Sequence, residues 1–407
     1  MNELVIGRQP IFNSRLDVVA YELLYRSLSQ PNQAAFLDGD QATTNVILNT
    51  FSEMGLDNIV GQGKAYINAT RNFLLGKYPI PLPPNRVVLE VLEDIPIDQP
   101  LIDALQNLAK AGYWIALDDV VSIQQIEPLL GLAKVVKIDL MGVDRDYLYD
   151  MVVYLKKLNL LLLAEKVETQ QEYDYCYRLG FDFFQGYFLC KPSVVKGRRL
   201  DASKLVALRS LSKLQDPQAT FQELEEIISM DVALGYKLLK LVNSGYYSLS
   251  TTVKSIRQAI SFIGINQLRA WMTLLLMASV ENKPHELTTI ALQRAKLCEM
   301  FARTKNRTQS ETYFLVGLLS VLDALMDMPM DRVLTNIPVS PDVAEALIAH
   351  RGELGEILQV VIAYEQGDWE KVLELNIDSN KMREIYLEAI HWVNIINRDM
   401  YTSVESA

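Results

Sequence analysis

The sequence predicts two halves of different class: an α/β half, as a TIM-like βα-barrel over residues 1–198, and an all-α half over residues 199–407. Three observations carry this. Seven short apolar, β-branched runs fall in the first half, several of them separated by segments of helical period. Continuous apolar runs alternating with helices mark parallel strands covered on both faces, and about seven such units fit a closed barrel better than an open sheet. Beyond residue 200 strand signals nearly vanish and apolar residues recur at i, i+3, i+4, the helical spacing. A chain of 407 residues, 50% apolar, is also too long for one ordinary core.

Taken in order, the strand-like runs are "LDVVAYELL", "KAYINA", "RVVLEVL", "YWIALDD", "AKVVKIDL", "LLLLAEKVE" and "FDFFQGYF". Helix-period segments between them include "QPLIDALQNLAKAG", which ends in Gly112 as a C′ residue, and "RDYLYDMVVYLKKLN". The basic, turn-rich "KPSVVKGRRLDASK" is the expected junction. After it, segments such as "TFQELEEIISM", "VALGYKLLKLVNSG" and "LTTIALQRAKLCEMFAR" read as helices, with Gly245, Gly264 and Pro341 at boundaries. "AWMTLLLMASV" is about half a bilayer span and reads as a buried helix.

"MNELVIGRQP" lacks the apolar region of a signal peptide. Cys176, Cys190 and Cys298 form no CxxC, so reduced thiols and a soluble cytoplasmic protein are expected, with no membrane partner. The net charge of −11 disfavours a duplex-binding groove, and no DNA partner is expected. A small anionic ligand held through metal ions stays open, because bound cations dominate their local field.

Each barrel-like strand carries one polar group at or near its end: Glu22, Asn68, Glu90, Asp118–Asp119, Lys137, Glu165 and Gln185. In a βα-barrel the C-terminal strand ends meet on one face, where active sites lie. Crowded carboxylates repel, and some must protonate unless cations sit among them. Ligands that are all oxygen suit Mg²⁺ or Mn²⁺, with two ions expected. Such a pair activates water and steadies both oxygens of a phosphoryl displacement, while Lys137 stabilises developing charge. Taken singly, each of these residues reads first as a turn, a helix cap or a solvated residue; the signal is their repetition.

The first half resembles the EAL-domain family of cyclic-di-GMP phosphodiesterases over about residues 1 to 195. The segments that carry this are "RQPIF…VVAYELLYR", "INAT", "LEVLE", "ALDD", "KID", "AEKVET" and "FDFFQGYFLCKP", in that order. They place Glu22, Leu24, Arg26, Asn68, Glu90, Glu93, Asp118, Asp119, Lys137, Asp139, Glu165, Gln185 and Pro192 on the family pattern. The resemblance implies binding of cyclic di-GMP across the barrel face and hydrolysis to linear pGpG. It implies a metal held by Glu22, Asn68, Glu90 and Asp118, and a second by Asp119 with Asp118. Glu165 and Lys137 would be catalytic, and Arg26, Gln185 and Asp139 would lie along the substrate. It also implies a role in motility and biofilm control.

Departures fall at three places. "VVSI" follows the two aspartates where the family has Phe-Gly-Thr-Gly, so that loop must run differently without glycine. Lys166 stands where the family has Gly; if the strand persists it points away from the face of Glu165. Leu23 replaces an Ala on the face opposite Glu22, a packing change.

The second half resembles HDOD domains, carried by "LSKLQDP", "EEIISMDVALGYKLLKLVNSGYY" and "SIRQAISFIGINQLRAW". Its only histidines are His285, His350 and His391, and none precedes an Asp, so it is expected to be metal-free. The expected role is binding a protein partner, or else shielding the barrel; Tyr246–Tyr247 reads as core packing ahead of an interface anchor. Oligomer formation stays open. For the whole chain, an active phosphodiesterase is expected, and a dinucleotide sensor or protein scaffold is the alternative.

Overall fold

A computed structural model describes residues 4–27, 55–77, 80, 82–191, 202–229, 232–243, 252–280, 283–305, 309–373 and 379–401. Gly245, Tyr246, Tyr247, Pro192 and most of the expected junction lie outside the described residues, as does the side chain of Arg26. The chain divides into two compact units. One comprises Met1–Leu189, Glu365–Glu370 and Asp378–Glu384; the other comprises Cys190–Tyr364, Lys371–Ile377 and Ile385–Ala407.

The first unit is a closed eight-stranded barrel in sequence order, β1 (Leu4–Asn13), β2 (Val18–Ser27), β3 (Lys64–Ala69), β4 (Val87–Val91), β5 (Trp114–Val120), β6 (Val135–Asp139), β7 (Leu161–Glu165) and β8 (Phe183–Phe184). Strands β2 to β8 are parallel. β1 is antiparallel to both of its neighbours and closes the ring. The sequence pattern misses β1, because Arg8, Gln9 and Pro10 interrupt its apolar run and proline demotes a strand reading. β1 and β2 form a hairpin whose turn Asn13 organises: its Oδ1 accepts from the backbone N–H groups of Arg15 and Asp17.

Burial follows the two-residue strand period. Leu23, Ile67, Leu89, Leu117, Val136, Ile138, Leu162 and Ala164 face outward into a core shared with the helices. Ile11, Ala20, Tyr66, Val88, Ala116, Val135 and Leu163 face inward and plug the barrel, with Phe183 packed against them. Leu23 is fully buried in the outer layer, as a packing residue opposite Glu22 should be. The covering helices are capped conventionally. Asp98 caps Gln99–Lys110, and Thr169 with Glu172 forms a capping box on Gln170–Leu179.

Among the described residues the regular elements of the second unit are all helices. The apolar "AWMTLLLMA" stretch is helix Ile265–Ala278, in which nine residues from Leu268 to Met277 are buried. Trp271 stacks on Trp392 at 5.8 Å, and Phe314 meets Trp392 edge-on at 6.0 Å. Gly264 separates Ile256–Ile263 from Ile265–Ala278, and Pro341 opens Pro341–Ala349. Among the described residues no helix is long and apolar enough to cross a membrane.

Candidate active site

The inward apolar layer generates the site one step further along each strand. Two residues beyond Ala20, Tyr66, Val88, Ala116, Val135, Leu163 and Phe183 stand Glu22, Asn68, Glu90, Asp118, Lys137, Glu165 and Gln185. Side chains two apart share a strand face, so these seven point to the barrel axis above the plug, at the C-terminal strand ends. β1 runs the other way, so its contribution lies two residues before Ile11. This is Gln9, paired in register with Glu22, and sequence reasoning missed it because it expected every strand to run in one direction.

Lys137 sits at the centre, fully buried. Its Nζ lies 2.6 Å from Glu90 Oε1, 2.6 Å from Asp118 Oδ1, 3.0 Å from Glu165 Oε1 and 3.2 Å from Glu22 Oε2. Gln185 Nε2 donates to Glu22 Oε2 at 2.7 Å and to Gln9 Oε1 at 2.9 Å. Asn68 Nδ2 donates to Glu22 Oε1 at 3.2 Å. Gly186 makes the Gln185 position attainable: its φ is 147°, and a Cβ there would meet the Val167 carbonyl oxygen at 2.1 Å.

Charge in this group is far from balanced. Burial pushes the Glu90 carboxyl well up, and neighbouring Glu22 adds to it against the pull of Lys137. Burial likewise raises Asp118, and it raises Glu165 to about 8. Glu22 behaves differently. Burial pushes it up, but Lys137 and the hydrogen bonds from Gln185, Lys137 and Asn68 together hold it below the ordinary value. Lys137 is held well above its ordinary value: burial works against the ammonium, and four surrounding carboxyls outweigh it.

The donor set fits divalent cations. Six buried acceptor oxygens here have no hydrogen-bond partner: Asn68 Oδ1, both oxygens of Glu90, Asp118 Oδ1, Glu165 Oε2 and Gln185 Oε1. Two of them, Glu90 Oε1 and Asp118 Oδ1, touch Lys137 only as ion pairs. Buried acceptors are ordinarily satisfied, and oxygens gathered without donors are what hard cations require. At the rim, Glu93, Asp118 and Asp119 bring one carboxylate oxygen each within 4.8 Å of one another.

Adjacent aspartates both reach this face through a bulge. Register shifts between Leu117 and Val120, where three steps on β5 match two on β6, and Asp119 takes a φ of 44°. Bulges beside active sites re-aim side chains in this way. The expectation for Lys166 is corrected here. β7 ends at Glu165, and Lys166 takes a φ of 57°, so its side chain turns back over the site instead of away from it. Its Nζ donates to Asp139 Oδ2 at 2.6 Å and to Asp119 Oδ1 at 3.1 Å. The positive φ explains why glycine suits this position in the family pattern.

Among the candidates, Glu22, Asn68, Glu90, Asp118, Lys137, Glu165 and Gln185 are thus brought together, while Asp119 and Asp139 form a second group around Lys166. The Arg26 backbone lies in β2 opposite Val5.

The EAL domain family matches residues 65–192, and the HDOD domain family matches residues 202–328. The chain is 35% identical over 398 residues to YuxH, a Bacillus subtilis (strain 168) protein that is itself uncharacterized, covering 95% of this chain and 97% of that protein. This chain belongs to the EAL–HDOD family. A second relative, the Vibrio cholerae serotype O1 cyclic di-GMP phosphodiesterase CdgJ, is 33% identical over 401 residues, covering 97% of this chain and 93% of CdgJ. The crystal structure of the Bacillus subtilis YkuI protein, with an EAL domain, in complex with c-di-GMP and calcium, is 22% identical with a TM-score of 0.39. That match covers 56% of this chain and 72% of YkuI. The EAL match begins at Ala65, so the placing of Gln9 and Glu22 in the EAL–HDOD site rests on the barrel geometry.

Proposed function

We propose that the barrel hydrolyses cyclic di-GMP to linear pGpG, lowering a second messenger that governs motility and biofilm formation. The observation that carries this reading is the ring of six buried oxygens without hydrogen-bond partners at the C-terminal strand ends. The family relationship agrees with it, since CdgJ is a cyclic di-GMP phosphodiesterase. The division of labour follows a boundary near residues 198 and 199. Residues 1–198 form the hydrolase, and residues 199–407 form a module that engages a protein partner.

Glu22, Asn68, Glu90 and Asp118 would hold Mg²⁺ or Mn²⁺, and Asp119 with Asp118 would hold a second ion. When bound, these ions supply Lewis-acid polarisation of the phosphoryl oxygen and an acidified water. The chain's own residues do the rest. Gln185 and Asn68 fix both oxygens of Glu22 in its ionised form. Lys137 offsets the surrounding carboxylates and any negative charge that develops above them. Glu165 Oε2, which has no hydrogen-bond partner, would accept the proton of the attacking water once bound cations have displaced the carboxyl's own proton. The water oxygen bonds to phosphorus, the P–O3′ bond breaks, and the leaving O3′ regains a proton. One water is consumed, and the ring opens to a linear dinucleotide with a 5′-phosphate. Arg26, Gln185 and Asp139 would line the substrate.

A second reading is favoured by one observation. Lys166 engages Asp119 and Asp139, an arrangement compatible with a barrel that senses the dinucleotide without turning it over. Incubating full-length protein with Mg²⁺ or Mn²⁺ and cyclic di-GMP, then separating the nucleotides by chromatography, decides between them. The hydrolase gives pGpG that is lost in Glu22→Ala. Saturable binding with no product gives the sensor instead.

A further inference from the structure

The two groups of candidate residues stand differently toward cations, and the difference lies in Lys166. In the inner group, six oxygens lack hydrogen-bond partners and the sole ammonium, Lys137, is shared by four carboxyls. In the outer group, the ammonium of Lys166 already bridges Asp119 at 3.1 Å and Asp139 at 2.6 Å. Two independent backbone features hold it there. Lys166 is in the left-handed region at φ 57°, which turns its side chain over the rim, and Asp119 is likewise at φ 44° within the β5 bulge. Side-chain-bearing residues seldom adopt this region, so a matched pair whose side chains meet is a built contact.

The geometry points to Lys166 as a tethered cation that takes the place of the second divalent ion at Asp119. This rests on the proposed hydrolase reading and refines it: the barrel takes one divalent cation tightly at Glu22, Asn68, Glu90 and Asp118, and a second only weakly. The physical reason is twofold. A divalent ion sharing Asp118 and Asp119 must displace the ammonium from Asp119, giving up a charge-assisted hydrogen bond. It must also sit within a few ångströms of a like charge that Asp139 keeps anchored, in a partly exposed site where repulsion is screened but not abolished. Lys166 is therefore a positioning residue, which sets cation stoichiometry and holds the ends of β5, β6 and β7 together.

Mn²⁺ titration of the full-length protein tests this. The readouts are calorimetric stoichiometry and electron paramagnetic resonance, where two neighbouring ions broaden each other's signal. Wild type is expected to bind one Mn²⁺ per chain, with any second at least about tenfold weaker and no broadening. Lys166→Met keeps the stem and removes the charge; it is expected to bind two, the second tightened at least about tenfold, with the broadened signal. Lys166→Arg should restore single occupancy. Should Lys166→Met not fold, Lys166→Gly gives the same reading and relieves the positive φ. Two comparably tight ions in wild type overturn the inference, as does single occupancy that Lys166→Met leaves unchanged. Absence of Mn²⁺ binding in every variant overturns the hydrolase reading along with it.

Discussion

Two charge clusters, one from each unit, are built on opposite balances. In the barrel, four carboxyls surround one ammonium, and six oxygens remain without hydrogen-bond partners. In the helical unit, one carboxylate, Asp327, takes Lys204 at 2.5 Å and Lys283 at 2.7 Å, while Lys283 also donates to the Ala324 carbonyl. Every charge in the second cluster has a partner within the protein. The first cluster is complete only with added positive charge. An unsatisfied buried site is costly to stability and is therefore a mark of function, whereas a satisfied one needs no explanation beyond packing.

The largest expected effect breaks the chemistry without emptying the ring. Glu165→Gln keeps size and hydrogen-bonding capacity but removes the base, and kcat should fall by about 10²–10⁴-fold, measured as pGpG formation at saturating substrate. Next, Lys137→Met leaves four carboxyls with no internal cation. In chelator the barrel transition should lose about 3–5 kcal/mol in urea unfolding, and Mg²⁺ or Mn²⁺ should recover much of it. That recovery separates the clusters, since no comparable response is expected of the helical unit.

The pH response should differ as well. An unfolded Glu165 ionises near 4.5, whereas in the folded site it keeps its proton up to about 8. Between those values the folded chain binds more protons than the unfolded one, so cation-free stability falls as pH rises and levels off above pH 8. Each tenfold difference in proton affinity between the two states corresponds to about 1.4 kcal/mol, giving a loss of roughly 5 kcal/mol across the window. Cation binding displaces that proton. Calorimetry in buffers of different ionisation enthalpy should therefore register proton release on Mn²⁺ binding at pH 7 and much less at pH 9. A pH-independent barrel transition in chelator would show that Glu165 is ionised throughout.

The contrast between the clusters also explains what could be read ahead of the structure. Glu22, Asn68, Glu90, Asp118, Lys137, Glu165 and Gln185 were legible because strand period and barrel topology both act locally: each lies two residues past a buried apolar neighbour. Gln9 was not legible, since its place depends on β1 running antiparallel, and Pro10 masks the strand. Lys166 was misjudged because alternation was extended one residue past the end of β7. Its φ of 57° is set by the chain beyond Glu165, and nothing in a lysine announces it. In the helical unit, Gly264 and Pro341 mark helix boundaries, but the triad of Lys204, Lys283 and Asp327 joins residues 123 and 44 positions apart and left no periodic trace.

The smallest effect is the control that gives the comparison its meaning. Lys283→Met removes one of two cations from Asp327. Asp327 keeps Lys204 at 2.5 Å, so no carboxylate is stranded, and burial already holds the Lys283 ammonium below its ordinary pKa. Taking away a charge that burial disfavours returns part of what the lost ion pair contributed, so the net cost should be about 1 kcal/mol or less. It is read as a shift in the urea midpoint of the helical unit. The shift should be the same in chelator and in Mn²⁺, because this cluster has no oxygens waiting for a cation. A cation-dependent shift in Lys283→Met would mean that the helical cluster also recruits ions, and the distinction between the two units would collapse.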